Sequence, residues 1–419
     1  MAYTGTVVVV PTRNRAQIAT NAIASVLEQR IENVSVMVSD NSTSESDREA
    51  LARFCRERSD DRVLYLRPPQ SLSMSAHWEW AIEEALRTHA ATHFVYLTDR
   101  MMFRKGTLAE IVNLATRYPE TVISYNHDRI VDNSIPIRVE QSLATEKLFA
   151  VDTSRLLWLL SQAIIHPAVP RMLNCIAPRT VLDRIRDRFG GVFASFSPDF
   201  NFCCRCLDVE DSIIYYDKAP IFHYALNRSN GASLTRGETT VDNADFTANA
   251  MDNGAVINSA TPVPELNTAV NYAFHEYCAF KQQTHSTNFP DLDLQKYLHA
   301  NAIEISELID PQLRAQMFAL LAAHGYREPQ TTGVSNAAEI SLGERVKSKM
   351  KRVLSGPATT PGWLFLARTL AVAPPGYNSF EFATLNEAID YAKNISRGNV
   401  MKEAGAEQQL LLGRELPKQ

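Results

Sequence analysis

Three observations predict an α/β fold, with a mainly parallel sheet flanked by helices and then a mostly helical C-terminal region. Runs of β-branched and aromatic residues alternate with helix-period segments through residue 126. The first run, TVVVVPT, is apolar throughout, as a strand buried on both faces of a parallel sheet must be. The strands end in short polar segments, PTRN, SDNST, LRPP and LTDR, and in such sheets ligands gather beyond the carboxyl ends of the strands.

The elements follow in order. After TVVVVPT, the stretch RAQIATNAIASVLEQR places Ile18, Ala22, Ile23, Val26 and Leu27 at helical spacing. VSVMVSD (34–40) predicts a second strand and DREALARFCRER (47–58) a second helix. RVLYLRP (62–68) and SAHWEWAIEEALRTHA (75–90) form the third pair, HFVYLTD (93–99) and TLAEIVNLATRYP (107–119) the fourth, and TVISYN (121–126) a fifth strand. Beyond about residue 150 the alternation weakens. DTSRLLWLLSQAI, PRTVLDRIRDRF and SPDFNFCCRCL read as helices, and DSIIYYDKAPIFHYA as extended chain. The acids of LDVEDS (Asp208, Glu210, Asp211) read as a solvated turn. TAVNYAFHEYCAFKQ, DLQKYLHANAIEISELI and PQLRAQMFALLAAHG then read as helices, before a Thr-, Gly- and Ser-rich loop (330–342). In ERVKSKMKRVLSG, Val346, Met350, Val353 and Leu354 share one face among basic residues. Residues 344–355 thus predict a basic amphipathic helix, suited either to an anionic membrane surface or to packing on the domain.

A chain of 419 residues suggests two or three domains, divided here as 1–237, 238–330 and 331–419. Hydrophobic content of 45% with 21% charged residues is that of a globular protein, and a net charge of −5 gives no reason to expect a nucleic-acid partner. The six cysteines lack framework spacing, and the cluster Cys203, Cys204 and Cys206 has no second ligand pair, so buried reduced thiols are expected. The N-terminus has no basic leader and no apolar run approaches a membrane span. A cytoplasmic protein is expected, peripheral to the inner face of a membrane if 344–355 docks there.

At the strand ends, PTRN (11–14) reads as a strand-to-helix turn capped by Asn14. Asp40 in SDNST reads either as an Asx turn or as an acceptor for a nucleobase or ribose. Neither GxGxxG nor GxxxxGK[ST] is present, which disfavours dinucleotide and P-loop sites. FVYLTDRMMF (94–103) ends its strand on a single acid, Asp99, followed at once by Arg100.

Together the order and spacing of PTRNR, a helix ending in VLEQ, VSVMVSDNSTSES, RVLYLRPP and FVYLTDR closely resemble the family 2 glycosyltransferases of the GT-A fold. The usual family forms are PTYNR, SxLxQ, VDDGSTD and LDDD after the corresponding strands. The resemblance covers roughly residues 5 to 235, and its motifs are closest through residue 126. It implies a GT-A-like domain at 1–237, and an inverting transfer of a sugar from a nucleotide-diphosphate sugar to a hydroxyl of a saccharide or lipid-linked acceptor. Polysaccharide, lipopolysaccharide and glycolipid synthesis are the implied settings.

Carried across by position, Pro11, Thr12, Arg13 and Asn14 match the segment that contacts the nucleotide, with Arg13 in place of an aromatic. Asp40 matches the base-binding acid, and Arg67 sits where the third strand reaches the nucleotide. Asp99 matches the first acid of the acidic motif and is the one candidate ligand for the family's usual Mn²⁺ or Mg²⁺. Arg100 stands where a second metal-binding acid belongs, so the metal site looks impaired. Arg100 is expected either to bind diphosphate oxygens itself, assisted by Arg13, Arg228 or His223, or to turn away toward an acid such as Glu110. Glu79 replaces an Asn that serves donor contacts in the family. The general base that takes the acceptor's proton is expected at Asp199, in a motif usually written EDxxxxxR, with Pro198 for Glu and Arg205 downstream. Otherwise, Ser197 and Asp199 would only cap a helix. PIFHYALNRSNGAS matches the segment that closes over the diphosphate, with His223, Arg228 and Asn230 as candidates. HDR (127–129) and IIHPAVPR (164–171) read mainly as ordinary loops near the acceptor cleft. The loss of carboxylates at 98–101 leaves a non-catalytic nucleotide-sugar or glycan-binding module as the alternative. A nucleotidyltransferase is disfavoured, because the first loop lacks a Gly-rich, Lys-containing phosphate cradle.

Overall fold

Strand β1 (Thr6–Thr12) lies at the centre of a parallel group with β2 (Val34–Asp40), β3 (Val63–Leu66) and β4 (His93–Tyr96). The computed structural model describes residues 5–58, 60–229, 260–327, 377–395 and 413–417, together with residues 244 and 248. The continuous apolar runs sit between two layers of helices. Val7 and Val9 point into one core and Val8 and Val10 into the other, each fully buried. Helices α1 (Ala16–Leu27), α2 (Glu45–Glu57) and α4 (Thr107–Arg117) cover the second core, while α3 (Met74–Thr88) covers the first. Each was predicted within a few residues.

The sheet continues with β5 (Met101–Phe103), β6 (Ile123–Val131), β7 (Ile137–Ser142), β8 (Leu148–Asp152), β9 (Cys175–Pro178) and β10 (Ser212–His223). β6 begins within the fifth strand expected at 121–126 and β10 within the stretch expected to be extended, whereas β5, β7, β8 and β9 were not separated in the sequence reading. β9 runs antiparallel between β4 and β6, whereas β6 and β10 pair parallel with a register shift between Tyr216 and Ile221. That irregularity sends the end of β10 alongside β5, where His223 is opposite Met101. Helices α5 (Thr153–Ser161), α6 (Arg179–Phe189) and α7 (Pro198–Val209) join the layer begun by α3.

The helical region follows as predicted, with α8 (Ala269–Thr284), α9 (Leu294–Ser306) and α10 (Pro311–Ala323) packed on that same layer. Among the described residues of the segment expected to be a helical tail are a helix, α11 (Leu385–Asn394), and two strands that enter the main sheet. β11 (Tyr377–Phe382) pairs with β7, and β12 (Arg414–Leu416) with β8. The amphipathic segment 344–355, the loop 330–342 and Asn230 lie outside the described residues. No helix among the described residues is long and apolar enough to cross a membrane. All six cysteines are free thiols, four of them buried. Asp208 does not lie in a solvated turn. It is buried at the end of α7, where Arg188 pairs with it at 2.6 Å and the Ser286 hydroxyl donates to it.

Candidate active site

One cavity of about 420 Å³ opens beyond the carboxyl ends of the parallel strands. Its wall includes Pro11, Thr12, Arg13, Asp99, Arg100, Asp199 and His223, seven of the residues singled out in the sequence. β1 and β2 run in register with Thr12 beside Asp40, which brings PTRN and SDNST to one rim. At the next strand end, the Thr12 hydroxyl donates to one Asp99 oxygen at 3.0 Å, and the Arg15 guanidinium pairs with the other at 3.4 Å. Arg15 was not expected to reach the site. It lies one residue beyond PTRN, and no periodicity separates an arginine that turns inward from one that faces solvent.

Four expected residues lie off the cavity wall. Asp40 is fully buried; Tyr65 donates its hydroxyl to it at 2.7 Å and the Ser42 N–H donates at 2.9 Å, which is the Asx-turn arrangement. Arg67 donates to the Ser42 carbonyl at 3.3 Å. Asn14 does not cap α1. Its backbone is left-handed (φ 54°) and its amide oxygen accepts the N–H groups of Thr43 and Ser44, while Asp47 caps α1 by accepting the Ala16 N–H at 2.9 Å. Arg228 donates to the Asn14 carbonyl at 3.3 Å and so ties the chain after β10 to the first loop. These four organise the rim.

Arg100 does not turn away to Glu110. Lys218 holds the Glu110 carboxylate at 2.7 Å, and the Tyr216 hydroxyl donates to it at 3.1 Å. Arg100 remains on the cavity wall, where it donates to the Tyr224 carbonyl at 3.4 Å. His127 and Arg171 come from HDR and IIHPAVPR, segments read mainly as ordinary loops, and both line the cavity. Buried Asn174 makes this happen. It donates to the Tyr125, Pro167 and Val169 carbonyls and accepts the Arg171 N–H, folding residues 167–174 into a fixed loop. A single Asn in RMLNC carries no such signal in sequence.

The wall thus carries four guanidiniums, Arg13, Arg15, Arg100 and Arg171, against the carboxylates of Asp99 and Asp199. Its imidazoles add no charge near neutrality. Burial, with Arg171 and Arg129 close by, pulls His127 down to about 3. His223 is also pulled well below the usual range by burial, His127 and three arginines. The two rings lie 4.9 Å apart, as neutral hydrogen-bonding groups. A divalent ion fits this donor set poorly. Asp99 is the one carboxylate beside Arg100, already engaged by Thr12 and Arg15, and hard cations need several oxygen ligands. No cluster of three metal-ligating side chains occurs among the described residues.

Asp199 stands in the first turn of α7, after Pro198 at the first helical position. Burial raises its carboxyl above the ordinary range, and Arg171 and the Phe200 N–H pull it back. That combination keeps a carboxylate basic enough to take a proton. Around it the wall turns aromatic, with Trp78, Phe196, Phe200 and, from α8 of the helical region, Tyr272. Arg205, the downstream arginine of the motif, is held by the Gly191 carbonyl and does not reach the cavity.

Glu79 also lies off the cavity wall. It accepts the N–H groups of Val192 and Phe193 at 2.9 and 2.6 Å, and so holds the loop that leads into α7. A Cβ on Gly191 would stand 2.7 Å from Glu79 Oε1. Gly191→Ala is therefore expected to push Glu79 off these N–H groups, lowering stability by about 1 kcal/mol and turnover by a larger factor. Nucleotide affinity should be unchanged, and urea unfolding together with nucleotide titration checks both effects.

Buried imidazoles also set an acid limit. His77 and His166 are pulled from 6.5 to about 4 by burial, in the same direction as His127 and His223. Below about pH 6.5 the unfolded chain takes up protons that the fold refuses, so stability is lost as the pH falls. Glu276, raised from 4.5 to about 7, acts in the opposite sense over that interval. Four imidazoles outweigh it, and the melting temperature at pH 5 is expected to lie below that at pH 7 by on the order of 10 °C. Equal melting temperatures in a calorimetric pH series would refute this.

A strand-end cavity that pairs a cationic rim with a buried carboxylate, on a largely parallel group of strands, lies where open α/β sheets bind ligands and is suited to an anionic one. Residues 7–167, less than half of the chain, match the family model described as Glycosyl transferase family 2. Asp199 and His223 lie beyond the matched segment. Among curated proteins, none matches the chain in sequence. Solved structures similar to it include S. aureus TarS, 12% identical with a TM-score of 0.40, over 77% of this chain and 53% of that one. This chain therefore spans about half the length of that protein. S. aureus TarS 1-349 in complex with UDP-GlcNAc is 15% identical with a TM-score of 0.42, over 77% of this chain and 88% of that one. The same segment in complex with UDP is 13% identical, with a TM-score of 0.41 and the same coverage.

Proposed function

We propose that the protein is an inverting glycosyltransferase that moves a sugar from a nucleotide-diphosphate sugar to a hydroxyl of a saccharide or lipid-linked acceptor. Polysaccharide, lipopolysaccharide or glycolipid assembly is the setting. The observation that carries this reading is the single cavity that joins Asp199 to the arginine-rich rim at Asp99 and Arg100. Asp199 takes the proton of the acceptor hydroxyl as its oxygen forms the new bond to the anomeric carbon. The bond to the leaving nucleoside diphosphate breaks on the opposite face of the sugar.

Negative charge then develops on the diphosphate, and Arg100 with Arg13 and Arg15 binds its oxygens. His223 and His127 contribute as neutral hydrogen-bonding groups, and Asp99 fixes Arg15 in place. Transfer proceeds without a divalent metal or depends on it weakly. The nucleoside lies along Pro11–Arg13 and Asn41, with Asp40 and Arg67 supporting that rim from behind.

A thermal-shift panel of nucleotide sugars, run with and without Mn²⁺, tests the reading. The expected result is stabilisation by one nucleoside class, equal under both conditions and followed by turnover with the same donor. Binding without hydrolysis or transfer for any donor would decide for a non-catalytic module.

A further inference from the structure

The helix that presents Asp199 begins without a cap of its own. Its N-cap residue, Ser197, makes no side-chain cap, and Pro198 at the next position has no N–H to offer. A residue of the helical region instead holds the chain that leads into it. Glu276, on α8 and 1% exposed, accepts the N–H groups of Phe196 and Ser197 on one oxygen at 3.2 and 2.8 Å. Its other oxygen accepts the Asn201 amide at 3.2 Å. One carboxylate thus spans the residues on both sides of Asp199.

We propose that Glu276 is a positioning residue for Asp199, holding the start of its helix and setting, through its own charge, the proton affinity of the Asp199 carboxylate. The inference rests on the reading of Asp199 as the base. Two acids share the positive end of one helix, on a buried surface where charge interactions are weakly screened. The charged groups facing Glu276 from α7 are Asp199 and Arg205, and on its own helix the neighbouring His275 is pulled toward neutrality by burial. Burial and the Asp199 charge push Glu276 up to about 7, against the Ser195, Ser197 and Asn201 hydrogen bonds. Such a pair loses its protons in two macroscopic steps. The first proton leaves mainly from Asp199. The second leaves mainly from Glu276 near neutrality, and it makes the already ionised Asp199 a stronger base.

The test is a ¹³C NMR titration of the Asp199 carboxyl carbon in the full chain, alongside pH profiles of donor hydrolysis. The wild type is expected to show two steps at Asp199, with kcat rising through about pH 7. Glu276→Gln keeps an acceptor oxygen for the two N–H groups and removes the charge. It should reduce Asp199 to one step, flatten kcat near neutrality and leave donor Kd within about twofold. Glu276→Ala removes the hold as well and should lower kcat by about 10- to 100-fold, in line with the cost of small misplacements. A one-step Asp199 titration in the wild type, or a Glu276→Gln profile identical to it, overturns the inference. The NMR arm needs neither turnover nor the Ala variant to fold. Asp199→Asn serves as the control: unchanged turnover there would remove Asp199 as the base, while the titration would still decide the coupling.

Discussion

Asp199→Asn is expected to lower transfer by about 10²- to 10⁴-fold, the usual worth of a general base, with nucleotide affinity unchanged. The Asn is the same size and carries no basic oxygen lone pair of comparable strength. It can still accept the Phe200 N–H, so the helix start should survive. Arg171, which pulls the Asp199 carboxyl downward, would lose its charge partner, yet it sits over the Phe200 ring at 5.4 Å and keeps that support. Release of nucleoside diphosphate, measured as an initial rate, reads the loss of turnover. Titration with the nucleotide alone reads the affinity. A variant that turns over at the wild-type rate would rule out the base.

Arg100→Ala should cost about 1.5–3 kcal/mol of transition-state binding, the worth of a hydrogen bond to a charged group, or roughly 10- to 150-fold in kcat/KM. Because the charge on the departing diphosphate exceeds that on the bound donor, part of the loss should fall on kcat. EDTA is expected to leave wild-type turnover unchanged, and added Mn²⁺ should not rescue Arg100→Ala. Turnover abolished by EDTA would assign the charge to a metal on Asp99 instead. Arg15→Ala provides a contrast. It removes both a cation and the partner that holds Asp99 at 3.4 Å, so its effect should be at least as large.

Much of this architecture was legible because its signals are local. Val7 to Val10 announce a doubly buried strand without reference to any other segment, and Ile18, Ala22, Ile23 and Val26 announce the helix that follows. Asp99, Arg100 and Asp199 were readable through motif order. β9 and β5 were not, since CIAP and MMF are four and three residues long and acquire strand geometry only from their neighbours. The same reason hid Arg15 and Arg171. Arg15 turns inward to Asp99, far along the chain, and the loop of Arg171 is fixed through Asn174, whose bond to the Tyr125 carbonyl reaches a distant strand; sequence alone does not specify the direction of a side chain. Glu79 and Glu276 were harder still, because a carboxylate that accepts loop N–H groups looks like any exposed helix acid until the loop is folded against it.

The strands near the C-terminus bear on the order in which the sheet is assembled. The parallel core pairs segments within the first 96 residues, so most of its ladder forms between nearby stretches of chain. β8, in contrast, presents one edge that is covered only when residues 414–416 arrive. During synthesis that edge stays open while more than half of the chain is still being added. In the interval, the loops after β1, β2 and β3 would already have their scaffold, and β8 would be the exposed template on which a neighbouring chain could add a strand.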